Sequence, residues 1–244
     1  MEYKAEPDLL AGKVILVTGA GDGIGKTASL AYARHGATVI LLGRTVSKLE
    51  NLYDEIMAAD YAEPGIVPMD LASATASDIQ EMTIVLAENY GRLDGLLHNA
   101  AILGDRNPVE HYDLNQWARV MQVNFNAVVL LTQLLLPLLK MSTSSSVIFT
   151  SSGVGARPRA YWGAYCVSKY AMEGFAKLLA DELDNTSSIR VNILNPGATR
   201  TSMRAAAVPG EDPRTLKTAE DLMGLYLYLM GPDSEDDNGQ TFSG

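Results

Sequence analysis

The chain has 244 residues, of which 47% are hydrophobic and 20% charged, and its formal net charge at pH 7 is −10. This length suits one α/β domain with a sizeable core, and the acidic balance argues against general affinity for nucleic acid or anionic membranes. Because Cys166 is the one cysteine, an intrachain disulfide is excluded. The N-terminal sequence lacks a basic region followed by an apolar run, so we expect a cytoplasmic protein without a membrane span.

The start of the chain predicts a strand, a helix and a second strand. Residues 13–18 (KVILVT) and 38–42 (TVILL) are short apolar runs, typical of buried parallel strands. A helical pattern runs between them from Ile24 to His35. This βαβ unit is the first half of a nucleotide-binding fold, provided that the turn between strand and helix has suitable residues.

That turn is rich in glycine. Gly19, Gly23 and Gly25 follow a G-x-x-x-G-x-G spacing, and the more common G-x-G-x-x-G register does not fit. Glycines here let the backbone approach a phosphate, which the free N–H groups of the helix N-terminus also attract. The alternative is a turn that merely joins a strand to a helix.

The end of the second strand bears on the choice between NAD and NADP. Dinucleotide folds that prefer NAD usually carry an acid here, and this chain has Gly43 instead, followed by Arg44. An arginine can pair with the 2′-phosphate of NADP, so we expect NADP(H), with NAD(H) as the alternative. Asp22 in the glycine turn opposes this interpretation, and Arg44 would otherwise be a solvated residue at a helix start.

The rest of the chain continues to alternate strands and helices. Further strands are predicted at residues 65–69, 95–98, 146–150, 190–194 and 240–242. Further helices are predicted at residues 47–59, 77–90, 114–140, 161–183 and 218–230. The pattern predicts an α/β fold, a Rossmann-like doubly wound and mostly parallel sheet of seven strands with helices on both faces, in a single domain over residues 1–244. Pro68 places its strand at a sheet edge, and 201–218 reads as a mobile substrate lid.

Polar residues occupy three positions of interest around the predicted strands and helices. Asp70 follows the third strand, where it either reaches an adenine or caps the next turn. Asn124 lies inside the long helix, where a buried amide needs partners; we expect it to be both functional and a satisfied core amide that bends the helix. Ser152 follows the fifth strand, and its hydroxyl either holds a substrate oxygen or bonds its own backbone.

Tyr165 and Lys169 are four residues apart in a predicted helix, so their side chains share one face. A phenol has a reference pKa of about 10, and a nearby ammonium lowers that pKa by favouring the phenolate. The pair is therefore a candidate general acid/base. A chance pair on an amphipathic helix is the alternative.

Taken together, these residues resemble the short-chain dehydrogenase/reductase family in its single-domain form. The resemblance rests on TGAGDGIG at 18–25, Asn99-Ala100, Asn124, Ser152, Tyr165 with Lys169, and Pro196-Gly197 with Thr201. The segments LLHNA, WGAYCVSK, NPGATRT and LYLYLMG also resemble one bacterial oxidoreductase subgroup. Ala101 departs from the family pattern, which has glycine at this position.

The resemblance implies a role for each matching residue. Tyr165 would exchange a proton with the substrate oxygen, Ser152 would hydrogen-bond that oxygen, and Lys169 would lower the pKa of Tyr165. Asn124 would hold a water that links Lys169 to solvent. The implied cofactor-binding residues are Gly19, Asp22, Gly23, Ile24, Gly25, Arg44, Asp70, Leu71, Asn99, Tyr165, Lys169, Pro196, Gly197, Thr199 and Thr201. No metal is implied.

The leading hypothesis is an NADP(H)-dependent oxidoreductase that interconverts a small-molecule carbonyl and an alcohol. A dinucleotide-binding sensor or scaffold with vestigial activity is the alternative. Trp162 either walls the substrate pocket or packs under the lid, and Cys166 is expected to pack within its helix. Four loop arginines could bind an anionic substrate, although solvated side chains are favoured: Arg157, Arg159, Arg200 and Arg204. The apolar surfaces of the long helices indicate a homodimer or homotetramer.

Overall fold

The computed structural model describes residues 3–244, which form a seven-stranded parallel sheet in the order β3-β2-β1-β4-β5-β6-β7. The strands are β1 (Val14–Thr18), β2 (Thr38–Gly43), β3 (Gly65–Pro68), β4 (Gly95–His98), β5 (Ser145–Thr150), β6 (Ile189–Asn195) and β7 (Thr241–Ser243). The helices are α1 (Gly23–Arg34), α2 (Val46–Ala58), α3 (Ala76–Tyr90), α4 (Leu114–Met121), α5 (Ala127–Lys140), α6 (Gly153–Ala156), α7 (Gly163–Leu183), α8 (Ser202–Ala207) and α9 (Met223–Met230).

Helices cover both faces of the sheet. Successive strand residues point to opposite faces, so Leu16 packs with α3, α5 and α7, whereas Ile15 and Val17 pack with α1, α2 and α9. Both faces are therefore apolar, which explains why the strands read as continuous hydrophobic runs. The predicted fold class, a Rossmann-like doubly wound parallel sheet, is confirmed.

The two edges of the sheet are formed by β3 and β7. Pro68 pairs in register with Gly43 and ends β3. Its ring nitrogen carries no hydrogen, so it suits an edge strand, as the sequence predicted.

The predicted helix over 114–140 is not one regular α-helix. The α-helical pattern stops after Met121, and Gln122–Asn126 forms a π-turn before α5 begins. In this turn the Ala127 N–H donates to the Gln122 carbonyl, five residues earlier. Hydrophobic periodicity did not show this interruption, because a π-turn adds only one residue to the helical repeat.

The stretch Leu114–Lys140 is apolar enough, at a mean hydropathy of 1.5, to cross a membrane by length and composition alone. Half of the apolar window is buried inside the protein. That burial is typical of a core helix, which passes the same test of length and composition.

The region before α9 contains a capping box. The Thr218 N–H donates to Asp221 Oδ2 at 2.7 Å, and the Asp221 N–H donates to Thr218 Oγ1 at 3.3 Å. A short 3₁₀ turn at Glu220–Leu222 then leads into the α-helix at Met223. The segment 201–218 contains α8 and a second 3₁₀ turn; its mobility stays a prediction.

The strand order reverses direction between β1 and β4. Because all strands are parallel, their carboxyl ends lie at one edge of the sheet. Ligands of doubly wound folds bind at this edge, beside the point of reversal. The loops after β1, β2, β4, β5 and β6 meet there.

Candidate active site

A cavity of about 400 Å³ opens at the carboxyl edge of the sheet. Its volume falls in the range of about 300–1,000 Å³ that is usual for small-molecule and cofactor sites. The glycine turn and the start of α2 form one end, and α7 with the loop after β5 forms the other. Every residue of the implied cofactor-binding set except Gly25 lines the cavity.

Gly25 lies outside the cavity lining, and its lack of a side chain allows the glycine turn to pack closely. A side chain at Gly25 would strike the Gly19 carbonyl and would lie 2.5 Å from Asn99 Nδ2. Gly19 itself has a φ of +69°, in the left-handed region that favours glycine. A larger residue at Gly19 or Gly25 would therefore prevent the backbone of the turn from packing this closely beside the cavity.

Asn99 fastens the loop after β4 to this turn. Its side-chain amide donates to the Thr18 carbonyl at 3.2 Å, and the N–H groups of Asn99 and Ala100 both donate to Thr18 Oγ1 at 3.0 Å. The next residue, Ala101, lines the cavity. Its methyl group is accommodated where the family pattern has glycine.

Asp22 begins α1 but makes no side-chain cap with it. Its carboxylate instead pairs with Lys48 Nζ at 2.6 Å, and the Ser202 hydroxyl donates to it at 3.4 Å. The hydrogen bond from Lys48 is the main reason why the pKa of Asp22 lies below its usual range. The first N–H groups of α1 thus stay available to an anion, and Lys48 offsets the charge of Asp22.

Arg44 is exposed at the cavity rim, on the same side as Lys48. The sequence analysis named Arg44 but missed Lys48. Lys48 follows Arg44 by four residues and lies in the first turn of α2, so its position near Arg44 was visible in the sequence. Lys48 offsets the charge of Asp22, which leaves Arg44 as the cation available to a 2′-phosphate.

Asp70 and Leu71 border the adenosine end of the implied cofactor site. Asp70 Oδ1 accepts from the Ala72 N–H at 3.0 Å, which is the turn-capping role that the sequence left open. The carboxylate also lines the cavity, so capping and adenine recognition are compatible here. Leu71 is buried beside it.

Tyr165 and Lys169 lie one turn apart in α7, at the inner end of the cavity, and are 7% and 2% exposed. Lys169 Nζ stands 5.8 Å from the centre of the Tyr165 ring and donates to the Thr150 carbonyl at 2.7 Å. Ser152 lines the same cavity and makes no capping bond to its own helix, α6. The three polar side chains therefore line the same end of the cavity.

The pKa values of this pair are set mainly by burial. Burial raises the pKa of Tyr165, and the Ser152 hydroxyl offsets part of that rise by hydrogen bonding. Burial also lowers the pKa of Lys169 to about 8, while the negative charge of Glu173 acts in the opposite direction. With a pKa of about 8, the charge of Lys169 is sensitive to small changes in its surroundings.

Asn124 lies in the π-turn with its amide fully engaged. Its Oδ1 accepts from the Ile102 N–H at 2.8 Å, and its Nδ2 donates to the Ile102 carbonyl at 3.0 Å and to Ser168 Oγ at 3.1 Å. Asn124 therefore ties the π-turn to the loop after β4 and to α7. It is a satisfied core amide in an irregular helix, which is one part of what the sequence analysis expected.

The loop after β6 closes the cavity from the side of α8. Pro196, Gly197, Thr199 and Thr201 all line it. Thr199 Oγ1 donates to the Pro196 carbonyl at 3.0 Å, and Thr201 Oγ1 accepts from the N–H of Arg204 at 3.1 Å as the cap of α8. The loop is thus held by its own threonines, on the far side of the cavity from α2.

The four loop arginines are not free anion ligands. Arg157 and Arg159 are exposed and lie outside the cavity lining, and Arg200 borders a separate, smaller depression. Arg204 lines the main cavity but binds Glu211 through two bonds of 2.6 Å. The favoured interpretation, solvated side chains, agrees with the exposure of Arg157, Arg159 and Arg200, whereas Arg204 is half-buried in an ion pair.

Apolar side chains complete the inner end of the cavity. Trp162 both lines the cavity and packs beneath Arg106, whose guanidinium lies 4.5 Å from the ring centre. Leu103, Met203 and Ala207 line the cavity beside it, and the sequence analysis did not single them out. Cys166 is buried with Sγ against the Val154 carbonyl, so it packs within the helix as expected.

Comparison with known proteins agrees with this architecture. A sequence model described as short chain dehydrogenase matches residues 13–212. The chain belongs to the short chain dehydrogenase family. The resemblance inferred from the motifs is thereby confirmed, and the chain is an NAD(P)-dependent oxidoreductase of that family.

Individual short chain dehydrogenases match almost the whole chain. The uncharacterized oxidoreductase YciK of Escherichia coli (strain K12) is 51% identical over 242 residues, 99% of this chain and 95% of the relative. A solved short chain dehydrogenase from Shigella flexneri 2a, complexed with NADP, is 50% identical with a TM-score of 0.95, over 98% of this chain and 99% of that one. One from Escherichia coli CFT073, complexed with NADPH, is 51% identical with the same TM-score, over 98% and 99%.

Proposed function

We propose that the protein is an NADP(H)-dependent oxidoreductase that interconverts a carbonyl and an alcohol. One observation carries the proposal: Tyr165, Lys169 and Ser152 converge at one end of a cavity whose other end is a glycine turn with two cations. The first end can exchange a proton with a substrate oxygen, and the second suits a phosphorylated dinucleotide.

The residues present fit NADP(H). The glycine turn, where a Cβ at Gly25 would strike backbone, supports a pyrophosphate at the N-terminus of α1. The charges of Arg44 and Lys48 suit the 2′-phosphate. Two relatives that share 50% and 51% sequence identity with this chain were crystallised with NADP and NADPH. When bound, the nicotinamide supplies or accepts the hydride of the reaction.

The protein's own residues supply the proton and its control. Tyr165 donates the proton to the carbonyl oxygen in reduction and removes it in oxidation. Ser152 donates a hydrogen bond to that oxygen and so polarises the carbonyl. Lys169, as ammonium, favours the phenolate of Tyr165. Asn124 holds the π-turn against α7, and we propose that it also supports proton exchange between Lys169 and solvent.

The walls of the inner end favour an uncharged substrate. Leu103, Trp162, Met203 and Ala207 present apolar surface there, and the guanidinium of Arg204 is paired with Glu211. An alkyl or aryl ketone or aldehyde would bury its substituent among these side chains.

The segment 201–218 is proposed to act as a lid over this end of the cavity. Met203 and Ala207 of α8 line the cavity and reach the cluster around Trp162. Hydrogen exchange of this segment should slow when NADPH and a carbonyl ligand bind, while exchange in β1 stays constant. Unchanged exchange in 201–218 would show that the segment is a fixed wall.

The proposed function is tested first by titrating the protein with NADPH and NADH, with fluorescence as the readout. NADPH is expected to bind more tightly, and a panel of uncharged aldehydes and ketones should then oxidise it. Tight NADPH binding without reduction of any panel carbonyl would favour the sensor or scaffold hypothesis. Failure to bind either dinucleotide would contradict both hypotheses.

We also propose that the protein is a homodimer or homotetramer. Val167, Tyr170 and Leu178 form an exposed apolar stripe on α7, with exposed fractions of 44%, 40% and 54%. Light scattering after size exclusion should give the mass of two or four chains. Leu178→Glu should lower that mass, and a single-chain mass for the wild type would contradict the proposal.

A further inference from the structure

A buried acid lies one helical turn beyond the catalytic lysine, and the proposed mechanism does not use it. Glu173 is 8% exposed and follows Lys169 by four residues, as Lys169 follows Tyr165. The three side chains therefore lie along one face of α7. A buried carboxylate is costly unless something compensates for it, so its surroundings indicate what it does.

The Ser151 hydroxyl donates a hydrogen bond to Glu173 Oε1. Ser151 is itself held, because its N–H donates to the Leu194 carbonyl at 2.7 Å. Ser151 separates Thr150, whose carbonyl accepts the Lys169 ammonium, from Ser152. Glu173 is thereby connected to both ends of the proton-transfer group.

The backbone of α6 closes over this carboxylate. A Cβ at Gly155 would lie 2.7 Å from Glu173 Oε1 and equally close to Ser151 Oγ. A hydrogen at Gly155 is thus what lets α6 approach the pair so closely. Charges in such a tightly packed, weakly polarisable setting act on each other more strongly than charges at a surface.

The other groups that face Lys169 carry no competing negative charge. On its own helix it faces the phenol of Tyr165, and from β5 it faces the Thr150 carbonyl. From β4, His98 lies within electrostatic range of Lys169, and burial lowers the pKa of His98 to about 3, so that the ring is neutral above that pH. No direct ion pair joins Lys169 to an acid within residues 3–244.

We propose that Glu173 is a positioning residue whose negative charge keeps Lys169 an ammonium without contacting it, while its bond to Ser151 holds the end of β5 against α7. The proposal rests on the proposed function, because the ammonium matters through Tyr165. Loss of the Glu173 charge would therefore change the pH range in which the site works. It would not primarily weaken the binding of NADPH.

The test is the titration of Lys169 in the cofactor-free protein, followed by NMR of lysine labelled with ¹³C at Cε. Lys169→Met identifies the signal. Glu173→Gln keeps an acceptor for the Ser151 hydroxyl but removes the charge, and should lower the titration midpoint by about one unit or more. Ser151→Ala is the matched control, since it removes the hydrogen bond, keeps the charge and should leave the midpoint unchanged.

Two results would overturn the proposal: a midpoint that is the same in Glu173→Gln and wild type, or an equal shift in Ser151→Ala. If Glu173→Gln does not yield folded protein, Glu173→Met fills a similar volume without charge and carries the same expectation. The alkaline limb of the kcat/KM profile should move down with the midpoint in the charge-removing variant. The NMR titration needs no substrate, so a protein that reduces no carbonyl would contradict the proposed function and leave this result standing.

Discussion

At the scale of single residues, burial opposes ionisation of both members of the Tyr165–Lys169 pair. It raises the pKa of the phenol and lowers that of the ammonium to about 8. Both effects favour the neutral forms, whereas proton transfer needs a phenol whose proton is readily lost. Ser152 counters the effect of burial on Tyr165, and Glu173 counters it on Lys169, so both neighbours bear on the proton transfer.

Removing the Tyr165 hydroxyl should abolish most of the activity while leaving the cavity intact. We expect Tyr165→Phe to lower kcat by roughly 10²- to 10⁴-fold, the usual scale for a lost general acid/base. Steady-state kinetics with NADPH and an accepted carbonyl measure this effect. NADPH affinity and thermal stability, measured on the same sample, should remain close to wild type. Turnover close to wild type would contradict the proposed mechanism.

Arg44 should distinguish the two dinucleotides. Arg44→Ala removes a charged partner of the 2′-phosphate, a contact of about 1.5–3 kcal/mol, so NADPH should bind roughly 10- to 100-fold more weakly while NADH affinity is retained. Fluorescence titration measures both affinities. Lys26→Ala is the matched control, because Lys26 pairs with Glu55 at 2.7 Å outside the cavity lining. Equal losses for NADPH and NADH would make Arg44 a structural residue.

At the scale of structural elements, the glycine turn depends on close contact between α1 and the loops after β1 and β4. The three are joined around Thr18, which accepts from two N–H groups of the β4 loop. Gly25 lies where α1 crosses this loop, with backbone on one side and Asn99 on the other. The position of the helix N-terminus relative to the cavity thus depends on a residue without a side chain.

Gly25→Ala should displace α1 from this contact. Overpacking of this kind costs about 1–3 kcal/mol of folding free energy, and NADPH affinity should fall as the turn widens. Urea denaturation and cofactor titration measure the two effects. Gly210→Ala is the control, because a methyl group there meets open space and its φ is not in the left-handed region. Wild-type stability in Gly25→Ala would show that the turn adjusts freely.

The sequence predicted the strands and helices more completely than it predicted the contacts between side chains. Apolar runs located every strand, because a strand buried on both faces leaves a continuous hydrophobic signal. The π-turn escaped detection, since one added residue hardly alters helical periodicity. Lys48 and Glu173 were overlooked although each lies four residues from a named residue, because only the fold shows that they turn towards the site. The partner of Asp22, and hence its effect on cofactor choice, depends on a contact between α1 and α2.

At the scale of the whole molecule, one buried histidine links folding to pH. His98 is enclosed at the end of β4, with Nε2 2.9 Å from Thr132 Oγ1 and its ring stacked on Phe149. Burial, with a smaller effect of Lys169, lowers its pKa from 6.5 to about 3. The unfolded chain therefore binds a proton at His98 below pH 6.5, whereas the folded protein binds that proton only near pH 3. The contribution of His98 to the free energy of unfolding is fully present above its pKa in the unfolded chain. This contribution is lost as the pH falls towards the pKa of His98 in the folded protein.

His98→Asn should reduce the acid sensitivity of folding. In the wild type, lowering the pH from 7 to 5 should cost about 2 kcal/mol of unfolding free energy through His98 alone. Urea denaturation at the two pH values should show that this portion is missing in the variant. His111→Asn replaces an exposed histidine and should keep the wild-type dependence. Equal dependence in His98→Asn and wild type would place the sensitivity in other groups.

The π-turn at Gln122–Asn126 also bears on which insertions and deletions this fold tolerates. Removing one residue there would restore a regular helix and rotate everything before it by about 100° relative to α5. Asn124 would then leave Ile102 and Ser168, and the inward face of α4 would turn towards solvent. The same deletion in a surface loop would change almost nothing. In aligning related chains, a one-residue gap at this turn therefore signals a different active-site geometry, and is not a neutral length variation.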